Sequence, residues 1–135
     1  RIPNKTNAEK TRELFVDVPE SVRAYARELR DSKGWAFYAV NHRRGFCEYS
    51  TRIITIPVWV WDRGIGYRIY YISHELAHAS AGGKESHGPV FMEWFKKICP
   101  REYWHYEVEY KPRNAQSAGI SKDAAWNAQD LTSLF

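Results

Sequence analysis

The sequence predicts an α+β fold in a single domain. Apolar residues at helical spacing occupy the segment after Pro19, aromatic and β-branched runs separated by breakers follow from Trp35 to Trp61, and two more helical patterns lie beyond Tyr67. At 135 residues the chain is long enough for one core and short for two. With 44% hydrophobic residues, 16% aromatics and six tryptophans, it has the composition of a folded globular protein, because disordered chains lack this many rings. The expected unit is residues 1–135, with its core over 19–111 and a C-terminal extension over 112–135.

From Pro19 to Lys33, "PESVRAYARELRDSK" places Val22, Tyr25, Ala26 and Leu29 on one face, at i, i+3, i+4 and i+7. Pro19 suits a first helical turn and Gly34 a helix end. Arg23, Arg27 and Arg30 fall on the other side, where a solvated face is the simplest account and a phosphate-binding stripe the alternative. Strand patterns follow in "WAFYAV" (35–40), "FCEYST" (46–51) and "RIITIPVWVW" (52–61), and they predict a small antiparallel sheet. Pro57 has no N–H to give a ladder, so the last strand is expected to end near it or to lie at an edge.

"DRGIG" (62–66) predicts a loop leading into a helix from Tyr67 to Ala81, which Gly82 and Gly83 end. Pro89 opens another helix through "VFMEWFKKIC", with Val90, Phe91, Trp94, Phe95 and Ile98 turned inward and a stop before Pro100. "YWHYEVEY" (103–110) alternates in the manner of a strand, and "KDAAWNAQDL" (122–131) has a weak helical pattern.

Composition also excludes several classes. The longest strongly apolar stretch, "IITIPVWVW", is nine residues, whereas a membrane span needs roughly twenty. A soluble, cytoplasmic protein with no membrane partner is expected, although a chain that does not begin with Met leaves export open. Cys47 and Cys99 are too few for a disulfide scaffold or a cysteine-rich zinc ribbon, and both are expected as buried thiols. A net charge of +4 is a mild excess, compatible with an acidic partner and with weak DNA binding at most.

The chemistry concentrates in "YYISHELAHASAGGKESHGPVF", which holds three of the five histidines. His74 and His78 are four residues apart on the expected helix, so their rings project from one face a turn apart, as two ligands of one ion require. Zinc takes imidazole nitrogen and prefers four-coordinate geometry, with catalytic sites leaving one position to water. Glu75 can then reach that water rather than the ion, which is the HExxH arrangement of a metal with a glutamate general base. His87 is the natural third ligand, because "GGKE" lets the chain turn back and Gly88-Pro89 starts the next helix. Glu93 and Glu85 compete with it, since zinc also accepts carboxylate.

With "HELAHA" at 74–79 and, eight residues intervening after His78, "HGPVF" at 87–91, the chain resembles the SprT-like zinc metallopeptidases, the group that includes the Spartan-type DNA–protein crosslink proteases. It looks closest to the small metallopeptidases of bacteriophages. The resemblance takes in "GFCEYSTRIITI" before the motif and "ICP" and "YKPRNAQSAGI" after it, and covers residues 35–120. It implies a zincin-like domain, zinc on His74, His78 and His87, catalysis by Glu75, a polypeptide substrate and, if phage-encoded, the host cytoplasm. Many relatives append a cysteine-rich zinc ribbon that two isolated cysteines cannot build, which puts DNA targeting by such a module in doubt.

An oxyanion forming during hydrolysis needs a second donor beside the metal, and Tyr103, His105, Tyr106 and Tyr110 are candidates. The strand Arg52 to Ile56 is the candidate edge for pairing with an extended peptide. Two other functions fit the residues: a nucleic-acid-binding module with a structural zinc, in which arginines such as Arg23, Arg27, Arg30, Arg43 and Arg44 contact phosphates, and a metallohydrolase of a non-protein amide.

Overall fold

A computed structural model describes residues 6–82 and 87–107. The fold is α+β: helices α1 (Asn7–Arg12), α2 (Glu20–Lys33), α3 (Ile65–Ala81) and α4 (Pro89–Ile98) surround strands β1 (Ala36–Val40), β2 (Phe46–Glu48) and β3 (Ile53–Pro57). Among the described residues no helix is long and apolar enough to cross a membrane.

Helix α2 has the expected limits. Pro19 is its N-cap, and Gly34 ends it in the left-handed conformation, φ 75°, which glycine adopts without a Cβ clash. Val22, Ala26 and Leu29 are buried on its inner face. Helix α1 was not foreseen. Ala8 to Arg12 bury no helical stripe of their own, but Thr6 and Glu9 form a reciprocal capping box, and the turn after it delivers Leu14 and Val18 to the core.

The sheet is mixed rather than antiparallel, in the order β1-β3-β2. Strand β1 runs parallel to β3, with Ala36 opposite Ile53 and Val40 opposite Pro57. Strand β2 pairs antiparallel on the other side, with Phe46 opposite Thr55 and Glu48 opposite Ile53. The chain between β1 and β2 must therefore pass the end of β3. Pro57 finishes that strand, and Gly45 makes the passage: a Cβ there would lie 2.2 Å from the Thr55 carbonyl oxygen and 2.9 Å from Pro57 Cδ.

Two further expectations change at the same place. Beyond Pro57 the apolar run does not continue as strand but turns into a 3₁₀ helix, Val58–Arg63, which buries Val60 and lets Trp59 Nε1 donate to the Arg43 carbonyl at 2.8 Å. The segment Arg52 to Ile56 lies in the middle of the sheet, with both sides of β3 hydrogen-bonded, so it is no edge for a peptide.

Helix α3 begins at Ile65, two residues before the expected start, and Gly82 ends it at φ 78°. All eight residues from Ile72 to Ala79 are buried, so the helix passes through the interior rather than along it. Helix α4 has its proline in the first turn and buries Phe91, Phe95 and Ile98, but Val90 is 43% exposed instead of turned inward. After Pro100 the chain forms a short 3₁₀ turn, Arg101–Tyr103, and residues 105–107 are helical, not strand. The alternation in "YWHYEVEY" arises because Trp104 donates back to the Cys99 carbonyl and Tyr106 packs on α3, both compatible with tight turns. Tyr110 and "KDAAWNAQDL" lie outside the described residues. Cys99 is buried and Cys47 half-buried, each with a free thiol.

Candidate metal centre

The burial of α3 makes its polar residues costly unless they are partnered. His74, Glu75 and His78 all face the interior, with Glu75 at 0% exposure. His74 and His78 stand one turn apart with ring centroids separated by 4.9 Å. His87 reaches them from the start of α4, and its backbone is left-handed, φ 62°, a conformation uncommon outside glycine. Gly88 follows as the N-cap of α4, so the left-handed residue turns the chain into the helix and the ring back toward α3.

The three side chains converge through the same nitrogen. Nε2 of His87 is 3.1 Å from Nε2 of His74 and 3.2 Å from Nε2 of His78. Two ligands on a tetrahedral zinc at 2.0 to 2.1 Å are about 3.3 Å apart, so these spacings suit one shared ion. His74, His78 and His87 thus lie close enough together to bind a metal ion. Glu93 is exposed on the outer side of α4, and Glu85 is outside the described residues.

Phe91 forms the floor of the cluster. Its ring lies 5.0 Å from His74, 4.5 Å from His78 and 4.9 Å from His87, centroid to centroid, and it is fully buried. The spacing of "HGPVF" explains the contact: Phe91 sits in the first turn of α4, on the side that packs against α3.

Burial and charge set the protonation of the cluster. Burial, then the neighbouring His74 and His78's other neighbour His87, hold His78 well below the ordinary histidine value, so its ring is neutral and its lone pair available. Burial, reinforced by Glu107, pushes Glu75 well above the usual carboxylate range. Neither Glu75 oxygen has a hydrogen-bond partner among the described residues. A fully buried carboxyl with no hydrogen-bond partner among the described residues, set beside three converging imidazoles, is a poor structural element.

Two residues absent from the sequence expectations complete the surroundings. Glu107 accepts from His74 Nδ1 at 2.8 Å and from the Tyr70 hydroxyl at 3.0 Å, through the same oxygen. Burial alone would raise Glu107, but the charge of His74 and its hydrogen bond, then His87 and Tyr70, bring it down to about 2. Tyr49 donates its hydroxyl to the His78 carbonyl at 2.8 Å and ties the turn after β2 to α3. Nearby, the Tyr71 hydroxyl accepts from the Gly45 N–H at 2.9 Å, holding the crossing chain against the same helix. Periodicity cannot reveal Glu107, which lies 33 residues from His74 and meets it only in the folded chain.

The expected oxyanion donors have other contacts. Tyr103 packs on Gly66, Tyr106 packs on Tyr67 and Tyr70, and His105 Nδ1 lies 3.0 Å from the Glu102 carbonyl. Arg23 and Arg27 pair with Glu20, and Arg30 pairs with Asp31, all on the exposed face of α2. Arg43 and Arg44 are exposed on the loop between β1 and β2.

Comparisons with protein-family models, with curated proteins and with solved structures find no match to this chain.

Proposed function

We propose that this chain is a zinc-dependent peptidase of the SprT-like type, with His74, His78 and His87 as the metal ligands and Glu75 as the general base. The observation that carries the reading is the convergence of three imidazole nitrogens, two of them from α3, beside a buried carboxyl of the same helix that has no hydrogen-bond partner among the described residues. A purely structural zinc is normally closed by a fourth protein ligand and has no use for such a carboxyl. When bound, zinc would supply a Lewis acid that lowers the pKa of water toward about 7 and polarises a carbonyl.

The protein's own part is proton handling and placement. Glu75 takes a proton from the attacking water and returns it to the departing amine. His78, neutral through burial, keeps its lone pair for the ion without competition from a proton. A peptide would be held along β2, an edge strand tied to α3 by Tyr49, by main-chain pairing that demands little of the sequence. Exposed Phe46 on that strand gives such a peptide an apolar contact.

The test is metal analysis of the purified protein combined with proteolysis of unfolded protein substrates, with and without DNA, by wild type and Glu75→Gln. One zinc per chain is expected in both, with turnover in the variant lower by about 10²- to 10⁴-fold, the usual loss when a general base is removed. Zinc loss in Glu75→Gln would make the residue a ligand and end its assignment as base. A variant that kept both zinc and activity would end the peptidase mechanism drawn here.

A further inference from the structure

Besides Glu75, a second carboxylate, Glu107, is buried beside the three histidines. Glu107 is 2% exposed and comes from residues 105–107, a short helical segment beyond α4 and outside the HExxH and HGPVF motifs. It meets His74 on Nδ1, while the Nε2 of the same ring faces His78 and His87. A carboxylate only accepts, so this bond requires a proton on Nδ1. A neutral His74 then has its lone pair on Nε2, the nitrogen that faces the other two. The opposite tautomer would place a proton where the ion must bind.

We propose that Glu107 is a positioning residue for the metal centre, fixing His74 in the tautomer and orientation that binds metal; this rests on the metal site assigned above. Tyr70 supports the arrangement from one turn before His74 on α3. Its hydroxyl donates to the same Glu107 oxygen, leaving the carboxylate little freedom to swing away. The rings of Phe95 and Tyr106 pack on Tyr70, and the ring of Tyr67 packs on both tyrosines, so the hydrogen-bonded chain runs through a dry, low-dielectric region where each bond is strengthened. Partners of this kind on the far side of a ligating histidine orient the ring and raise its basicity. The metal centre is therefore finished by a segment that follows α4 in the chain, and its affinity depends on that segment being docked.

The experiment compares the full chain with Glu107→Ala, Glu107→Gln and Tyr70→Phe. Zinc affinity is measured by competition with a chromophoric chelator, and the protonation of His74 is read from nitrogen-15 NMR of the metal-free protein. Glu107→Ala is expected to weaken zinc binding by about 10- to 100-fold. Glu107→Gln keeps an acceptor oxygen and should fall between it and wild type, with Tyr70→Phe closer to wild type. Metal-free wild type should carry the His74 proton on Nδ1, and Glu107→Ala should lose that preference. A folded Glu107→Ala protein with wild-type zinc affinity would overturn the proposal, as would a neutral wild-type His74 with its proton on Nε2. If the alanine variant does not fold, Glu107→Gln and the wild-type tautomer decide the matter. If wild type binds no zinc, the metal-site reading itself fails, and the tautomer measurement still judges the Glu107–His74 bond alone.

Discussion

Helices α2 and α3 both place ionisable groups one turn apart, yet they use them in opposite ways. On α2, Glu20 pairs with Arg23 one turn on and with Arg27 two turns on, at side-chain exposures of 44 to 60%, so water screens each charge and the ions neutralise one another. On α3, His74, Glu75 and His78 are buried, and Glu75 has no hydrogen-bond partner among the described residues. The spacing is similar; the solvent is not. A helical charge pattern becomes informative about chemistry where the helix runs through the interior, because only there does an unpartnered group carry a large free-energy penalty.

The largest effect that would test this contrast is on metal binding. His74→Ala, His78→Ala and His87→Ala should each lose zinc on dialysis against a chelator that leaves wild type loaded, whereas Glu93→Ala should retain it. Retention by His87→Ala together with loss by Glu93→Ala would transfer the third position to the glutamate.

Next in size is the floor beneath the rings. Phe91→Ala removes a fully buried side chain that touches all three histidines, and by the usual cost of phenylalanine cavities it should destabilise the protein by about 3 to 5 kcal/mol in urea unfolding. It should also weaken zinc binding. A loss of stability with zinc affinity unchanged would show that the ring supports the core and not the site.

Smaller effects appear in the pH dependence of the metal-free protein. Glu75 is held above its unfolded value of 4.5, so the folded state keeps a proton that the unfolded state gives up, and stability falls as pH rises past 4.5. Glu75→Gln removes this loss, so its stability advantage over wild type should widen with pH above 4.5. Glu107, at about 2, and His78, held below 6.5, act in the other direction. The Glu107 contribution is complete above 4.5 and lost as pH falls toward 2, and the His78 contribution is complete above 6.5 and lost below it. Acid unfolding should therefore steepen below pH 4.5, and Glu107→Gln should blunt that limb.

The smallest effect belongs to α2. Glu20→Gln should leave zinc affinity unchanged and the melting temperature within error of wild type at high salt. A clear drop in either would mean that the exposed network supports the site and that burial is not the dividing line.

Much of the helical frame was legible because its signals are local. Pro19 and Gly34 bound α2, Gly82 ends α3 and Pro89 opens α4, each by a backbone preference that needs no tertiary partner. The convergence of His74 and His78 was legible for the same reason, since four residues make one turn. The sheet was not, because strand order depends on where a chain crosses: Gly45 and Pro57 permit the passage, but neither announces it. Helix α1 is too short for a stripe and shows itself only in the spacing of Thr6 and Glu9. Glu107 was hidden behind a strand-like alternation, and its role exists only once the residues after α4 return to α3.

The left-handed backbone of His87 has a consequence for kinetics. Two of the three imidazoles are locked together by the hydrogen bonds of one helix, while the third is placed by the packing of α4 against α3 and is the least buried of them. An ion held by the three histidines is expected to leave His87 first, at a rate that follows the docking of α4 on α3. A substitution beneath that contact should shorten the residence time of the metal while leaving every ligand in place.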